Sequence, residues 1–228
     1  MMAGSSLRVT NGQAVLRTQL DKPTDPANPG DSWSNFSPWW EIGSTRNWRI
    51  TFRPGRTVEL RTDWIEANQD DAVAGVLASS GIEGYGVGLG RNEVLLLKYG
   101  SIPMWFNSYF FWERVALPET RLTLSAAFTQ VGPDLEIRVR VLGSTSQNLL
   151  WEKTVFDTAG RDDVLPNLAV KGILMQPEGN PAPYVGLQMI PHVGVGYLNT
   201  ERAPVDTVEV TIDNFEVREF PARSNSAR

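Results

Sequence analysis

The chain has 228 residues, a length that suits one domain or two small ones. Hydrophobic residues make up 41% of it and charged residues 21%, the range of globular proteins, which excludes disorder over most of the chain. The 26 acidic residues outnumber the 21 basic ones, for a formal net charge of −5. Nucleic-acid binding calls for a basic stripe, so we expect no nucleic-acid partner.

Several kinds of site are excluded by missing residue types. Cysteine is absent, which excludes disulfides, thiolate zinc sites and a cysteine nucleophile. His192 is the only histidine, so a Ser-His-Asp triad would have to use it and a multi-histidine metal site is excluded. No apolar run approaches the roughly 20 residues that span a bilayer, and we expect no membrane partner.

Alternating apolar and polar residues predict strands along most of the chain, and no 12-residue segment has helical periodicity. Glycine at alternate positions of 81–90 indicates a strand that another element approaches closely. Two segments read as long loops, at 21–35 and 157–183. We predict an all-β, antiparallel β-sandwich as a single domain over residues 7–220. The predicted strands are 13–20, 57–64, 93–99, 121–128, 135–142 and 208–220.

Both ends are expected to be flexible. Residues 1–6 lack the charged and apolar regions of a signal peptide, and we interpret them as an added or flexible N-terminus. We expect a secreted or cell-surface protein whose signal peptide has been removed. Residues 221–228 are polar and are predicted to form a flexible tail.

Four segments carry a family resemblance, and they follow one another in the family's order. A turn glycine precedes the first alternating strand, a Gly-to-Glu-to-Arg strand follows, then a long hairpin, then a closing strand with Asp-Asn-Phe. This order resembles the concanavalin A-like lectin and glucanase jelly roll, above all its laminarinase-like and LamG-like branches. Residues 58–72 also resemble a phrase found in secreted bacterial domains. The four segments are 7–16, 54–61, 122–142 and 211–217.

The resemblance implies a catalytic strand of the form E-x-D-x-x-E, whose carboxyl groups retaining chemistry needs about 5–5.5 Å apart. The corresponding strand here begins at Glu93, which matches the first acid. Leu95 stands at the central acid and Lys98 at the last. The sequence therefore predicts that the catalytic pair is missing.

An enzyme would have to use other residues. Glu59, Asp63 and Glu66 form the best substitute acidic cluster, and an outward polar strand face is the simpler interpretation. His192 follows a strand, where a structural or solvated histidine is the simpler interpretation.

The resemblance also implies a structural calcium ion, because relatives share one between a closing-strand aspartate and a carbonyl of the early turn glycine. The matching residues here are Asp213 and Gly12. Oxygen ligands of this kind suit calcium. The alternative is that Asp213 caps backbone amides at a strand edge.

Aromatic residues concentrate around residues 33–48 and 104–112. Exposed rings stack on the apolar C–H faces of sugars, whereas most aromatics of a sandwich pack in its core. Because strand residues alternate, we expect Phe110 and Trp112 to share one face and Phe111 to take the other. The candidate ligand-binding residues are Trp39, Trp40, Trp105 and Tyr109, with Arg61 as a polar neighbour.

Three hypotheses remain open from sequence. The first is a non-catalytic, lectin-like domain that binds a neutral poly- or oligosaccharide at exposed aromatic rings. The second is a glycoside hydrolase or polysaccharide lyase whose acids Glu59, Asp63, Glu66 or Glu93 converge in a groove, with Arg61 or His192. The third is a structural or adhesive surface domain with buried aromatics and a flat polar face.

Overall fold

The computed structural model describes residues 6–19, 39–40, 49–68, 72–80, 83–100, 106–161, 165–166, 180–197 and 207–222. Within these ranges the regular structure is β-strand, and none of it is a helix that could cross a membrane.

The first sheet has seven antiparallel strands in the order β1-β2-β15-β5-β10-β11-β12. Its central strand, β5, pairs with β15 on one side and with β10 on the other. The seven strands are β1 (Ser6–Thr10), β2 (Gln13–Gln19), β5 (Arg56–Ala67), β10 (Leu122–Val131), β11 (Asp134–Gly143), β12 (Leu149–Asp157) and β15 (Thr207–Pro221).

The second sheet packs against the first and has the order β13-β9-β8-β7-β6-β14-β3. A short strand, β4 (Ile50–Thr51), also pairs with β14. The other strands are β3 (Trp39–Trp40), β6 (Ala72–Ser79), β7 (Gly84–Leu89), β8 (Glu93–Gly100), β9 (Phe106–Arg114), β13 (Leu165–Pro166) and β14 (Gln188–Tyr197).

This topology confirms the expected all-β, antiparallel β-sandwich. The predicted proximity of the terminal strands is also confirmed, because β2 pairs with β15 from Gln19 and Thr207 to Ala14 and Ile212.

The core lies between the two sheets and follows the strand period of two. In β11, Leu135 and Ile137 point into the core, while Glu136 and Arg138 lie on the outer face of the first sheet. The glycines of the second sheet allow a close approach, as their spacing predicted. A Cβ atom at Gly84, within the predicted segment, would collide with the backbone of Ala78 and Ser79 in β6, and this crowding explains the absence of a side chain there.

One aromatic prediction is wrong because of a β-bulge in β9. Leu96 pairs with Phe111, yet the next residue, Leu97, pairs with Tyr109, which leaves Phe110 as the extra residue. A bulge interrupts alternation by placing two residues opposite one. Phe110 and Phe111 therefore both enter the core, and Trp112 faces outward.

Candidate functional site

An exposed tryptophan stands on the outer face of the second sheet, where β8 and β9 pair. Trp112 has 38% of its surface exposed, and its indole Nε1 donates to Glu93 Oε2 at 2.8 Å. The other oxygen of Glu93 accepts from Arg114 Nε at 3.2 Å. Glu93 and Arg114 are a cross-strand pair, so the sheet register itself brings these side chains together. We call Glu93, Trp112 and Arg114 the Trp112 corner.

The hydrogen bond to Glu93 limits how the indole can turn, because both partners project from neighbouring strands. Arg114 has 90% of its side chain exposed, whereas Glu93 has only 17%. The corner therefore presents a fixed aromatic surface, one guanidinium open to solvent and one largely buried carboxylate. These groups can stack on an apolar face and hydrogen-bond to hydroxyl groups beside it.

Part of this outer face, next to the corner, is buried and apolar. It holds a second hydrophobic cluster that includes Val73, Leu95 and Leu97. Tyr109 belongs to this cluster and is only 4% exposed, with its ring centroid 5.5 Å from that of Trp112. The expectation that Tyr109 offers an exposed ring is therefore wrong: the β9 register carries it into the cluster beside Leu97.

For the other predicted ring-stacking residues, Trp39, Trp40 and Trp105, the structure describes no side-chain contacts. The backbones of Trp39 and Trp40 form β3 and pair with Gly194 and Val193 of β14. Their side chains lie outside the described part of the structure, as does all of Trp105.

His192 lies on β14, opposite Leu77 of β6, and is 6% exposed. Burial lowers its pKa to about 4, partly opposed by a hydrogen bond with the backbone of Ile190, so the ring is neutral at pH 7. Three strand-to-strand steps separate β14 from β8, which is about 14 Å at the usual spacing. His192 and Glu93 therefore do not form a proton-transfer pair.

Glu59 and Asp63 project from the outer face of the other sheet. Glu59 accepts hydrogen bonds from Ser125 Oγ at 2.5 Å and from Arg140 Nη2 at 2.8 Å. Asp63 accepts from Thr123 and from Asn214. Both carboxylates are thus buried acceptors in a cross-strand polar network.

The enzyme hypothesis required these acids to converge with Glu93, and they do not, because the core separates the outer faces of the two sheets. Glu59 and Asp63 are also four residues apart on one strand, about 13 Å, which exceeds the separations used by retaining or inverting glycosidases. Glu66 is exposed near the end of β5. Arg61 lies on the same face as Glu59 and donates to Gln147 Oε1 at 2.7 Å, far from the Trp112 corner.

The predicted calcium ligands lie at one end of the first sheet. Gly12 occupies the turn between β1 and β2 with φ of +81°, and Asp213 follows the last residue of β15 that pairs with β2. Asp213 Oδ1 accepts the backbone N–H of Asn214 at 2.7 Å, which is the capping role named as the alternative. Calcium takes six to eight oxygen ligands.

The described residues contain no group of three or more acidic or histidine side chains that could hold a metal ion. Calcium at Gly12 and Asp213 stays a prediction.

A buried ion pair between the sheets was missed from sequence. Lys98 and Asp157 are both fully buried, with Lys98 Nζ 2.8 Å from Asp157 Oδ2. Lys98 also donates to the carbonyls of Pro181 and Ala182 at 2.7 and 3.0 Å. Burial lowers the pKa of Lys98, and the charge of Asp157 opposes that effect. The sequence signal that could have placed Lys98 in the core is its strand position, because it alternates in step with the buried residues Val94 and Leu96.

Tyr85 belongs to the same buried cluster, and its hydroxyl group both donates and accepts a hydrogen bond there. Its hydroxyl donates to Asp157 Oδ2 at 2.5 Å and accepts the backbone N–H of Tyr184 at 3.0 Å. Burial, followed by the charge of Asp157, raises the pKa of Tyr85 well above its usual value. Asn180 also donates to Asp157. The cluster therefore holds a structural charge and is closed to substrate.

No family model and no curated protein matches the chain. Among solved structures, the alginate lyase AlgAT5 of polysaccharide lyase family 7 has a TM-score of 0.46 at 12% identity, over 96% of this chain and 84% of that one. The CBM2 module of the evolved Dit of Lactobacillus casei BL23 phage J-1 has a TM-score of 0.37 at 7% identity, over 95% and 79%.

A β-1,3-glucanase from Mycobacterium marinum has a TM-score of 0.34 at 12% identity, over 92% of this chain and 75% of that chain. At these identities and TM-scores, none of the three similarities assigns an activity to this chain.

Proposed function

We propose that this chain is a non-catalytic carbohydrate-binding domain that holds a neutral poly- or oligosaccharide at the Trp112 corner. The observation that carries the proposal is the exposed indole of Trp112, fixed at 2.8 Å by the carboxylate of Glu93. A large aromatic surface is normally withdrawn from water in a sandwich, and Phe110 and Phe111 beside it are buried. An exposed and immobilised ring loses little entropy on binding.

The charges of the corner support a neutral ligand. Glu93 and Arg114 form an ion pair across the two strands, so the corner carries no net charge. A carboxylate accepts hydrogen bonds from sugar hydroxyls, and a guanidinium donates to them. An acidic polysaccharide would instead meet a protein of net charge −5.

The acid arrangement supports binding without cleavage. Glu93 faces outward, but its strand continues with Leu95, which is buried and apolar, and with Lys98, which points into the core. On β9, the residues that share this face beside Glu93 are Trp112 and Arg114, and neither is an acid. Glycoside hydrolysis uses two carboxyl groups that flank the bond.

The test is affinity electrophoresis against a panel of neutral and acidic polysaccharides. Trp112→Ala should weaken binding by about 5- to 150-fold, as expected for an anchor worth 1–3 kcal/mol. Trp112→Phe should retain part of the affinity, because a ring remains. Phe156→Ala is the matched control, since Phe156 is 45% exposed on the opposite sheet. Full binding by folded Trp112→Ala protein would reject the corner.

The enzyme alternative has its own readout. If the protein releases reducing ends or unsaturated sugars from a polysaccharide, and Glu93→Gln does not, the binding proposal is wrong. The protein is then a hydrolase or a lyase. Glutamine retains an oxygen that can accept from Trp112, so this change removes charge with little change of shape.

The structural or adhesive alternative is supported by the buried aromatics and by the polar outer face of the first sheet. Failure of the unmodified protein to bind any glycan of the panel would favour it. We also propose a secreted or cell-surface location, where a polysaccharide ligand would be met.

A further inference from the structure

A pocket of about 200 Å³ opens on the outer face of the first sheet, on the side of the sandwich opposite the Trp112 corner. Its floor is Ala127 of β10, whose short side chain leaves space between longer neighbours on both sides. The volume is below the roughly 300–1,000 Å³ of pockets for drug-sized ligands, so it suits a single ring.

One wall of the pocket is a ladder across four adjacent strands. Phe220 of β15 pairs with Thr57 of β5, Thr57 pairs with Thr129 of β10, and Thr129 pairs with Glu136 of β11. The hydroxyl groups of Thr57 and Thr129 are 2.8 Å apart. Phe220 is 37% exposed, whereas phenylalanine side chains are most often buried in the core. The ladder thus places a ring face beside two hydroxyl groups.

Two arginines line the same pocket, and each already has a carboxylate. Arg138 Nη2 donates to Glu136 Oε1 at 3.1 Å, and Arg140 Nη2 donates to Glu59 Oε1 at 2.8 Å. The charges cancel in pairs, so the pocket does not select an anion. Arg140 Nε is buried without a hydrogen-bond partner among the described residues, which leaves an unused donor in a pocket-lining side chain.

From this combination we infer that the pocket is a second glycan site that takes one neutral pyranose ring. The ring would stack on Phe220, with its hydroxyl groups reaching the Thr57–Thr129 pair and the Glu136–Arg138 pair. The inference does not depend on the Trp112 corner, and the two sites would face opposite directions. A domain with both could bridge two chains of one polysaccharide.

Saturation-transfer NMR with methyl glycosides of glucose, galactose, mannose and N-acetylglucosamine tests the pocket, with glucuronate as the charged comparison. We expect transfer to at least one neutral glycoside and amide shifts on β10 and β11. Phe220→Ala should weaken binding by about threefold or more, within the range for one aromatic contact. Ala127→Leu, which fills the floor, should abolish it.

The controls separate this site from the Trp112 corner. Phe156→Ala, on the same sheet but outside the pocket lining, and Trp112→Ala should both leave the glycoside affinity unchanged. Unfolding curves identify any variant that fails to fold. Three results overturn the inference. They are binding of glucuronate but of no neutral glycoside, no binding of any glycoside, and unchanged binding of a neutral glycoside by folded Ala127→Leu protein.

Discussion

Replacing Lys98 by methionine should remove the cation from the buried ion pair and destabilise the whole domain. The ammonium group has three acceptors within 3.0 Å, namely Asp157 and the carbonyls of Pro181 and Ala182. Methionine fills a similar volume but donates nothing. Asp157 would then be a fully buried carboxylate without its counter-ion, and breaking such a pair typically costs about 3–5 kcal/mol.

Urea unfolding at neutral pH measures this cost as a lower midpoint at an unchanged m-value. Lys153→Met is the matched control, because Lys153 pairs with Glu113 where both side chains are more than a third exposed. Exposed pairs contribute about 0–1 kcal/mol. The double variant Lys98→Met with Asp157→Asn should recover part of the loss, since no buried charge is left unpaired.

The position of Lys98 also predicts where the loss is felt first. Lys98 Nζ lies 4.8 Å from the ring centroid of Tyr184 and donates hydrogen bonds to the carbonyls of Pro181 and Ala182. These contacts hold the segment that contains Tyr184 against β8. Hydrogen exchange at Tyr184 and Val185 should accelerate in Lys98→Met. A cost for Lys98→Met no larger than that for Lys153→Met would refute the reasoning.

Two further predictions concern pH and calcium. The folded-state pKa of His192, about 4, lies below its unfolded value, so protons bind the unfolded chain more tightly and stability should fall as pH drops from about 6.5 to 4, by on the order of 3 kcal/mol. His192→Gln should remove that part of the pH dependence, and an identical pH profile in this variant would contradict it. If Gly12 and Asp213 share calcium, excess chelator should lower the melting temperature, because a ligand bound only by the folded state stabilises it. Asp213→Ala should abolish the chelator effect, and an unchanged wild-type melting curve rejects the site.

The strands and their faces were predictable because a sandwich strand repeats every two residues. Alternation at 135–142 and 57–64 correctly identified β11 and most of β5, since one face of each points into the core. The same parity carries Lys98 inward with Val94 and Leu96. Alternation failed in β9, where the bulge at Phe110 shifts every later residue by one position.

The candidate sites were predictable only in part, because a sequence pattern states which residues share a strand face and not which sheet that strand joins. Glu59 and Glu93 were both candidate acids for one groove, yet they stand on opposite outer faces with the core between them. Trp112 was assigned to the same face as Phe110, and the bulge separates them.

The sequence by itself determined that this chain forms an all-β sandwich and that its terminal strands meet, because residue type and period-two spacing are local properties. The tertiary structure decided which side chains meet across strands. Glu93 fixes Trp112 through the register of β8 and β9, and Lys98 finds Asp157 from another sheet, 59 positions along the chain from 98 to 157. Pairings between distant segments depend on strand order and on a single bulge, and no local pattern contains either.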